Sequence, residues 1–260
     1  MPIIVPAGPS PEWSTTFSVD AMFYGAARNA RERGAAATND VRRAEKRVFM
    51  CRMAMEAVKE RSERQGEDAN RYRDEFEPLA IEIENLEHRV VEAHGAVLRE
   101  LVLAHILSAA ALEAHVNIRA ETLLPDQEWA AFERLAIVDK WLFLTRLRGL
   151  SDLDVGAQPF QEFDRLIKIR NRLVHDKLEK DPYHGFEDPA SFGQKWALTF
   201  DDVDRSLKVV KEMVEQLASQ LGEDRAPCWL DSQGSRFLDG SEQKPGKMEK
   251  SGQTGSPGPG

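Results

Sequence analysis

The sequence predicts an all-α protein, and three observations carry that prediction. Apolar residues recur at three- and four-residue spacing through every long segment, and no alternating strand pattern of useful length interrupts them. The chain of 260 residues is 42% hydrophobic, enough for a real core, and 30% charged with only 3 Tyr, the balance of a helix-rich protein. Gly and Pro fall mainly between the periodic segments, where helices must stop. The pattern divides the chain into an extended N-terminus (1–18), a helical hairpin or coiled-coil extension (19–95), a helical bundle (96–221) and a disordered tail (222–260).

Each element has its own warrant. Residues 1–18 are rich in Pro and Ser, which favour extended chain. Val19 to Gln65 reads as helix, with Val48, Cys51 and Met55 on one face and Gly34 as a candidate break. Gly66 is a stop signal, and Glu67-Asp68 an acidic start for a second helix, because carboxylates favour the positive helix N-terminus. Pro78 is expected to end or kink that helix. A long pattern then runs from Leu79 to about Leu124, with Leu86, Leu101, His105, Leu112 and Val116 near one face and Gly95 as a candidate divider. Antiparallel helices of this kind make a hairpin, either a partner-binding arm or a plain structural extension. Pro125-Asp126 opens a turn before a helix from Trp129 to Leu147, which Arg148-Gly149 closes. A loop over 150–159 leads to a helix from Phe160 to Leu178, followed by an irregular excursion around Asp181-Pro182 and Asp188-Pro189. The last helix starts at Thr199-Phe200-Asp201, where Thr199 or Asp201 caps, and ends at Leu221. From Gly222 the chain turns polar, and 240–260 is rich in Gly, Ser, Lys and Pro, a composition that cannot bury a core.

Several function classes find no residues here. The phosphate-cradling, dinucleotide, zinc-protease and nucleophile-elbow motifs are all missing from the sequence. Cys51 and Cys228 lack metal-type spacing, and His88 and His94 do not share a helix face, so no metal or cofactor is expected. Ala104 to Ala114 is the most apolar run, but His105 and Glu113 interrupt it, so no membrane span is expected. The first residues, Met1 to Pro6, carry no basic region and no long apolar core; with the lone cysteines they point to the cytoplasm. Acidic residues outnumber basic ones, 44 to 35, for a net charge of −9. A general nucleic-acid binder shows the opposite balance, so any RNA contact must be local. The cluster at Arg42-Arg43 with Lys46-Arg47 reads first as a solvated helix face.

The most informative stretch is Arg170-Asn171-Arg172-Leu173-Val174-His175. On a wheel turning about 100° per residue, Phe163, Leu166, Ile167, Ile169, Leu173 and Val174 form one broad stripe with Arg170 near its middle. A charge in a core stripe is costly unless something pairs with it. Asn171 and His175 lie four residues apart, a spacing at which side chains meet at the edge of that stripe. Guanidinium, amide and imidazole together suit an anion.

This segment resembles the motif helix of the HEPN superfamily, which carries Arg, a polar residue, a short spacer and His. The resemblance extends from about Leu98 to Leu221, with Leu112 to Asn117 and Val138-Asp139-Lys140-Trp141 similar to the acidic and Lys-aromatic elements of the family's earlier helices. It implies a HEPN-like helical bundle acting as a metal-independent endoribonuclease. The ribose 2′-oxygen would attack the adjacent phosphate at a cleft shared by two copies. Arg170 would stabilise the phosphate, His175 would move protons, since its ordinary pKa is about 6.5, and Asn171 would orient one or the other. Glu113 is the supporting candidate, a carboxylate to hold Arg170. The resemblance also implies a homodimer, a setting in toxin–antitoxin or anti-phage defence, and a protein partner such as an antitoxin. Each residue has a plainer role open to it: Arg170 in a buried ion pair, His175 capping a carbonyl. His105 reads as a satisfied core histidine, while His115 and Asn117 flank Glu113. A non-catalytic HEPN-like binding or assembly module is the competing reading.

Overall fold

The computed structural model describes residues 18–65, 69–147, 149, 153–175 and 189–230. Among them the chain is predominantly helical, with no strand. Helix α1 spans Val19–Gln65 and α2 spans Ala69–Leu123, followed by α3 (Asp126–Phe132), α4 (Ile137–Leu147), α5 (Phe160–His175), α6 (Pro189–Trp196) and α7 (Phe200–Gln220). A short 3₁₀ turn, Cys228–Leu230, comes last.

Helices α1 and α2 form one antiparallel hairpin. Its seam is a heptad in α1, with Val41 and Val48 buried and Cys51, Met55 and Val58 half-buried. Ion pairs fix the register along it: Arg33–Glu100 (2.8 Å), Arg47–Glu82 (2.8 Å), Arg52–Glu87 (2.6 Å) and Arg61–Glu75. Neither Gly34 nor Gly95 breaks its helix, and Pro78 lies inside α2. A Cβ at Gly95 would point into open space, so the glycine costs only about 1 kcal/mol of helix propensity, which the neighbouring turns outweigh. Helix α2 therefore crosses residues 95 and 96 without interruption, and hairpin and bundle share one helix.

The bundle closes around the second half of α2. One cluster joins Leu112 and Val116 of α2, Trp141 and Leu144 of α4, Phe160, Phe163 and Leu166 of α5, and Val210, Met213 and Leu217 of α7. A second joins Ala30 of α1, Leu101 and Ala104 of α2, and Leu198 and Val203, with Leu173 of α5 against it. Helix α2 is long and apolar enough to cross a membrane by length and composition, unlike the sequence expectation. In this structure 39% of its apolar stretch is buried, including Leu101, Ala104, Ala111, Leu112 and Val116.

Other expectations are corrected in detail. Trp129 to Leu147 is not one helix: it splits into α3 and α4 around Glu133 to Ala136, where Leu135 N–H turns back to the Phe132 carbonyl (3.0 Å). Gly149 does take the left-handed conformation after α4 (φ 61°). Thr199 caps α7, its side chain accepting from Asp202 N–H, and the helix ends at Gln220. The tail does not begin at Gly222, because Trp229 and Leu230 are buried in the main cluster, with Trp229 against Tyr24 (5.4 Å between ring centroids). Pro189, read as part of an irregular excursion, opens α6. The extended N-terminus (1–17), Gly66 to Asp68, Arg148, 150–152, the end of the motif helix (176–178), the excursion at 181–188 and the tail from 231 lie outside the described residues.

Candidate functional site

Helix α5 is seated from both ends. Its first half buries Phe160, Phe163, Leu166, Ile167 and Ile169, with Phe163 tilted against Trp141 of α4 (5.7 Å). On its flank Arg165 Nη2 donates to Asp202 Oδ1 of α7 (2.9 Å). Arg205 Nη2 donates to the same oxygen (2.9 Å), and the Thr199 hydroxyl donates to Oδ2 (2.6 Å). Asp202, in the first turn of α7, is thus the hub that ties α5 to α7. Further along, the Arg172 guanidinium lies over the Trp196 ring of α6 (5.0 Å), a cation–π contact joining those two helices.

These contacts consume most of the basic cluster on α5. Arg165 is held by Asp202, Lys168 by Asp164 (2.5 Å), and Arg172 by an aromatic face. Arg170 differs. Among the described residues its hydrogen-bond partner is a neutral amide, with Nη1 donating to Asn171 Oδ1 (3.0 Å). It is half-buried rather than sunk in the core, because the apolar stripe emerges at this end of α5, where Val174 is 48% exposed. Asn171 and His175 are both exposed, and His175 is the last residue of the helix.

The three motif residues do not converge on one face as the sequence suggested. The structure brings Arg170 and Asn171 together, and Asn171 turns its oxygen to Arg170 rather than to His175. His175 lies five positions after Arg170, which rotates their side chains about 140° apart around the axis and separates them by about 7.5 Å along it. One copy of α5 therefore presents a cation and an imidazole on two sides of a helix end.

Glu113 does not hold Arg170. It pairs with the buried ammonium of Lys140 (3.7 Å), which also lies over the Phe132 ring (5.8 Å). The reason is position along the helices. Glu113 sits where α2 meets α4 and the start of α5, while the Arg170 end of α5 packs by Leu173 against the stretch of α2 around Leu101 and Ala104. Glu113 and Lys140 hold α2 to α4, and the site loses its expected carboxylate.

Two buried histidines anchor the bundle behind this surface. His105 is fully buried, with Nε2 2.9 Å from the Ala197 carbonyl and Nδ1 2.9 Å from Ser206 Oγ. A neutral ring donates from Nε2, leaving Nδ1 to share the Ser206 proton with the Asp202 carbonyl (3.0 Å). Burial pushes the pKa of His105 down to about 4, against the opposing pull of the Ala197 carbonyl. The sequence expectation of a satisfied core histidine holds. His115 does not line the cleft with Asn117: it is buried, its Nδ1 2.7 Å from Asp20 Oδ2, its ring stacked on Trp141 (6.3 Å) and edge-on to Trp229 (6.0 Å). Asp20 also accepts from Ser18 and from Ala21 N–H (2.8 Å). Burial raises its pKa, but the bonds from His115 and Ser18 outweigh this and hold it below the usual carboxylate value. Asp20 escaped the sequence reading because an acid in a first helical turn is ordinary there.

No family model, no curated protein and no solved structure matches this chain.

Proposed function

We propose that this chain is a HEPN-type, metal-independent endoribonuclease of the cytoplasm that acts as a homodimer and cleaves RNA by attack of the ribose 2′-oxygen on the neighbouring phosphate. The observation that carries the reading is Arg170, half-buried and bonded to the neutral Asn171 beside the exposed His175 at one helix end. A guanidinium whose neighbour is an amide keeps its charge for an anion, and a planar fork suits phosphate oxygens. An exposed imidazole is free to take the 2′ proton or to protonate the leaving 5′-oxygen. Because Arg170 and His175 diverge around the helix, a second copy facing the first would complete the site. The Arg170 of one protomer would then stabilise the crowded phosphorane while the two His175 side chains supply base and acid. Val174, exposed between them, would lie in that contact. Deployment as a toxin or in anti-phage defence, held in check by a protein partner, follows from the same family resemblance.

The test is RNA cleavage in EDTA with product ends mapped. Wild type is expected to leave 2′,3′-cyclic phosphate, and His175→Ala to fold normally while losing at least about two orders of magnitude in rate, the usual contribution of a general acid or base. Cleavage unchanged in both His175→Ala and Arg170→Ala would sink the reading.

The second reading is a non-catalytic HEPN-like binding or assembly module, favoured by the net charge of −9, by the long helices α1 and α2, and by the contacts that occupy Arg165, Lys168 and Arg172 of α5. It predicts no cleavage of any RNA by well-folded wild type.

A further inference from the structure

Beyond Gly34, where an added Cβ would lie against Phe200 of α7, the buried apolar side chains of the hairpin among the described residues are Val41, Val48 and Leu86. The remaining 31 residues of α1 run about 46 Å past the bundle at 1.5 Å per residue. On this arm the solvent side of α1 is not polar. Phe49, Met50 and Met53 are 61%, 59% and 55% exposed. They sit at the heptad positions opposite the seam, where a plain hairpin places charge.

The exposed charges flanking this apolar centre on the same face are mainly basic toward the bundle and mainly acidic toward the tip, with Glu45 and Arg64 as exceptions. Toward the bundle, Arg42, Arg43 and Lys46 are exposed; toward the tip, Glu56 and Glu60 are. All of these fall within about 80° of Met53 around the helix and form one stripe, in which Arg64 is paired with Glu60 and Glu45 faces His94 of α2 at the edge. Such a stripe is complementary to its own reverse. Arg42 with Glu60, Lys46 with Glu56, and Phe49 with Met53 are each symmetric about the level of residue 51. A single two-fold axis there sets all three pairs opposite their mates at once, each occurring twice. Arg43 now pairs with Asp40 and Glu60 with Arg64 (3.1 Å) in exposed i,i+3 and i,i+4 contacts, which are weak enough to exchange.

We infer that the outward face of α1 is a docking surface for a second copy of this chain, the two arms lying antiparallel across Phe49, Met50 and Met53. This contact is separate from the one proposed at α5, since it places the two bundles at opposite ends of the paired arms.

The test measures the self-association of the full chain by sedimentation equilibrium, with circular dichroism confirming each variant's fold. Wild type is expected to associate. Phe49→Ser should weaken association by about a hundredfold, since two apolar side chains lose their burial. Lys46→Glu and Glu56→Lys should each weaken it about tenfold through two symmetric like-charge contacts, and the double variant should restore it. A wild type that is monomeric up to its solubility limit overturns the inference. So does a double variant no tighter than its parents, or association lost in Val174→Arg and untouched by every arm substitution.

Discussion

At the scale of single residues, His105 and His115 are both buried but held by different partners. His105 titrates in the folded protein near 4 and in the unfolded chain near 6.5, so between those values the unfolded state binds more protons. Stability is complete above pH 6.5, falls as the pH drops, and stops falling below 4, for a total of roughly 3 kcal/mol. Urea midpoints measured from pH 7 to 4 should show that slope, and His105→Gln should flatten it. The Asp20–His115 pair is as buried, and Asp20→Ala leaves the imidazole without its acceptor. A loss on the order of 3 kcal/mol is expected in chemical denaturation. The wheel made Arg170 legible, since a charge amid Phe163, Leu166 and Ile167 is visible in any helical projection. Its depth was not: Val174 and Arg170 lie where the stripe leaves the core, and only the packing of Leu173 against Leu101 and Ala104 decides where that happens. Glu113 was assigned to the wrong cation for the same reason, as the wheel gives an angle around α2 but no partner along it. Asp20 and His115 stand 95 residues apart, beyond any local pattern.

Among the elements, the short segments carry the strain. Ala197 ends α6 in the left-handed conformation (φ 55°), closing the helix through Leu198 N–H to the Gly193 carbonyl (2.7 Å) while its own carbonyl accepts from His105. A side chain in that conformation costs about 1 kcal/mol, so Ala197→Gly should raise the melting temperature. Removing the Thr199 cap by Thr199→Ala should cost about 1 kcal/mol by the same measurement. Trp229 is the larger stake. Placed in a Pro- and Cys-containing stretch just before a polar tail, it gave no periodic signal, yet it closes the aromatic box of Tyr24 and His115. Trp229→Ala should cost about 3–5 kcal/mol in denaturant unfolding. Long helices were legible because many turns repeat one pattern, and the break between α3 and α4 was not, because Glu133 to Ala136 contains neither Gly nor Pro.

The whole molecule divides by burial rather than by sequence. Between Leu101 and Ala120, α2 is surrounded by α1, α4, α5 and α7, whereas between 69 and 96 it leans mainly on α1. Local opening should follow that division. Hydrogen exchange read by mass spectrometry should show the hairpin tip exchanging first and peptides covering Leu101 to Val116 last, at rates set by global unfolding. Similar exchange along the full length of α2 would mean that arm and bundle open as one unit.

The uninterrupted path of α2 also makes the arm a ruler with a fixed tick. Inserting one residue in both α1 and α2 of the arm would turn its outer face by about 100° relative to the bundle, and the stripe at Phe49 would point elsewhere. Inserting seven in each would return every face to within about 20° of its place and lengthen the reach by about 10 Å. Length in this protein can therefore change by heptads while direction cannot change at all, and a chain lengthened in that step is expected to fold, with its outer stripe still facing the same way.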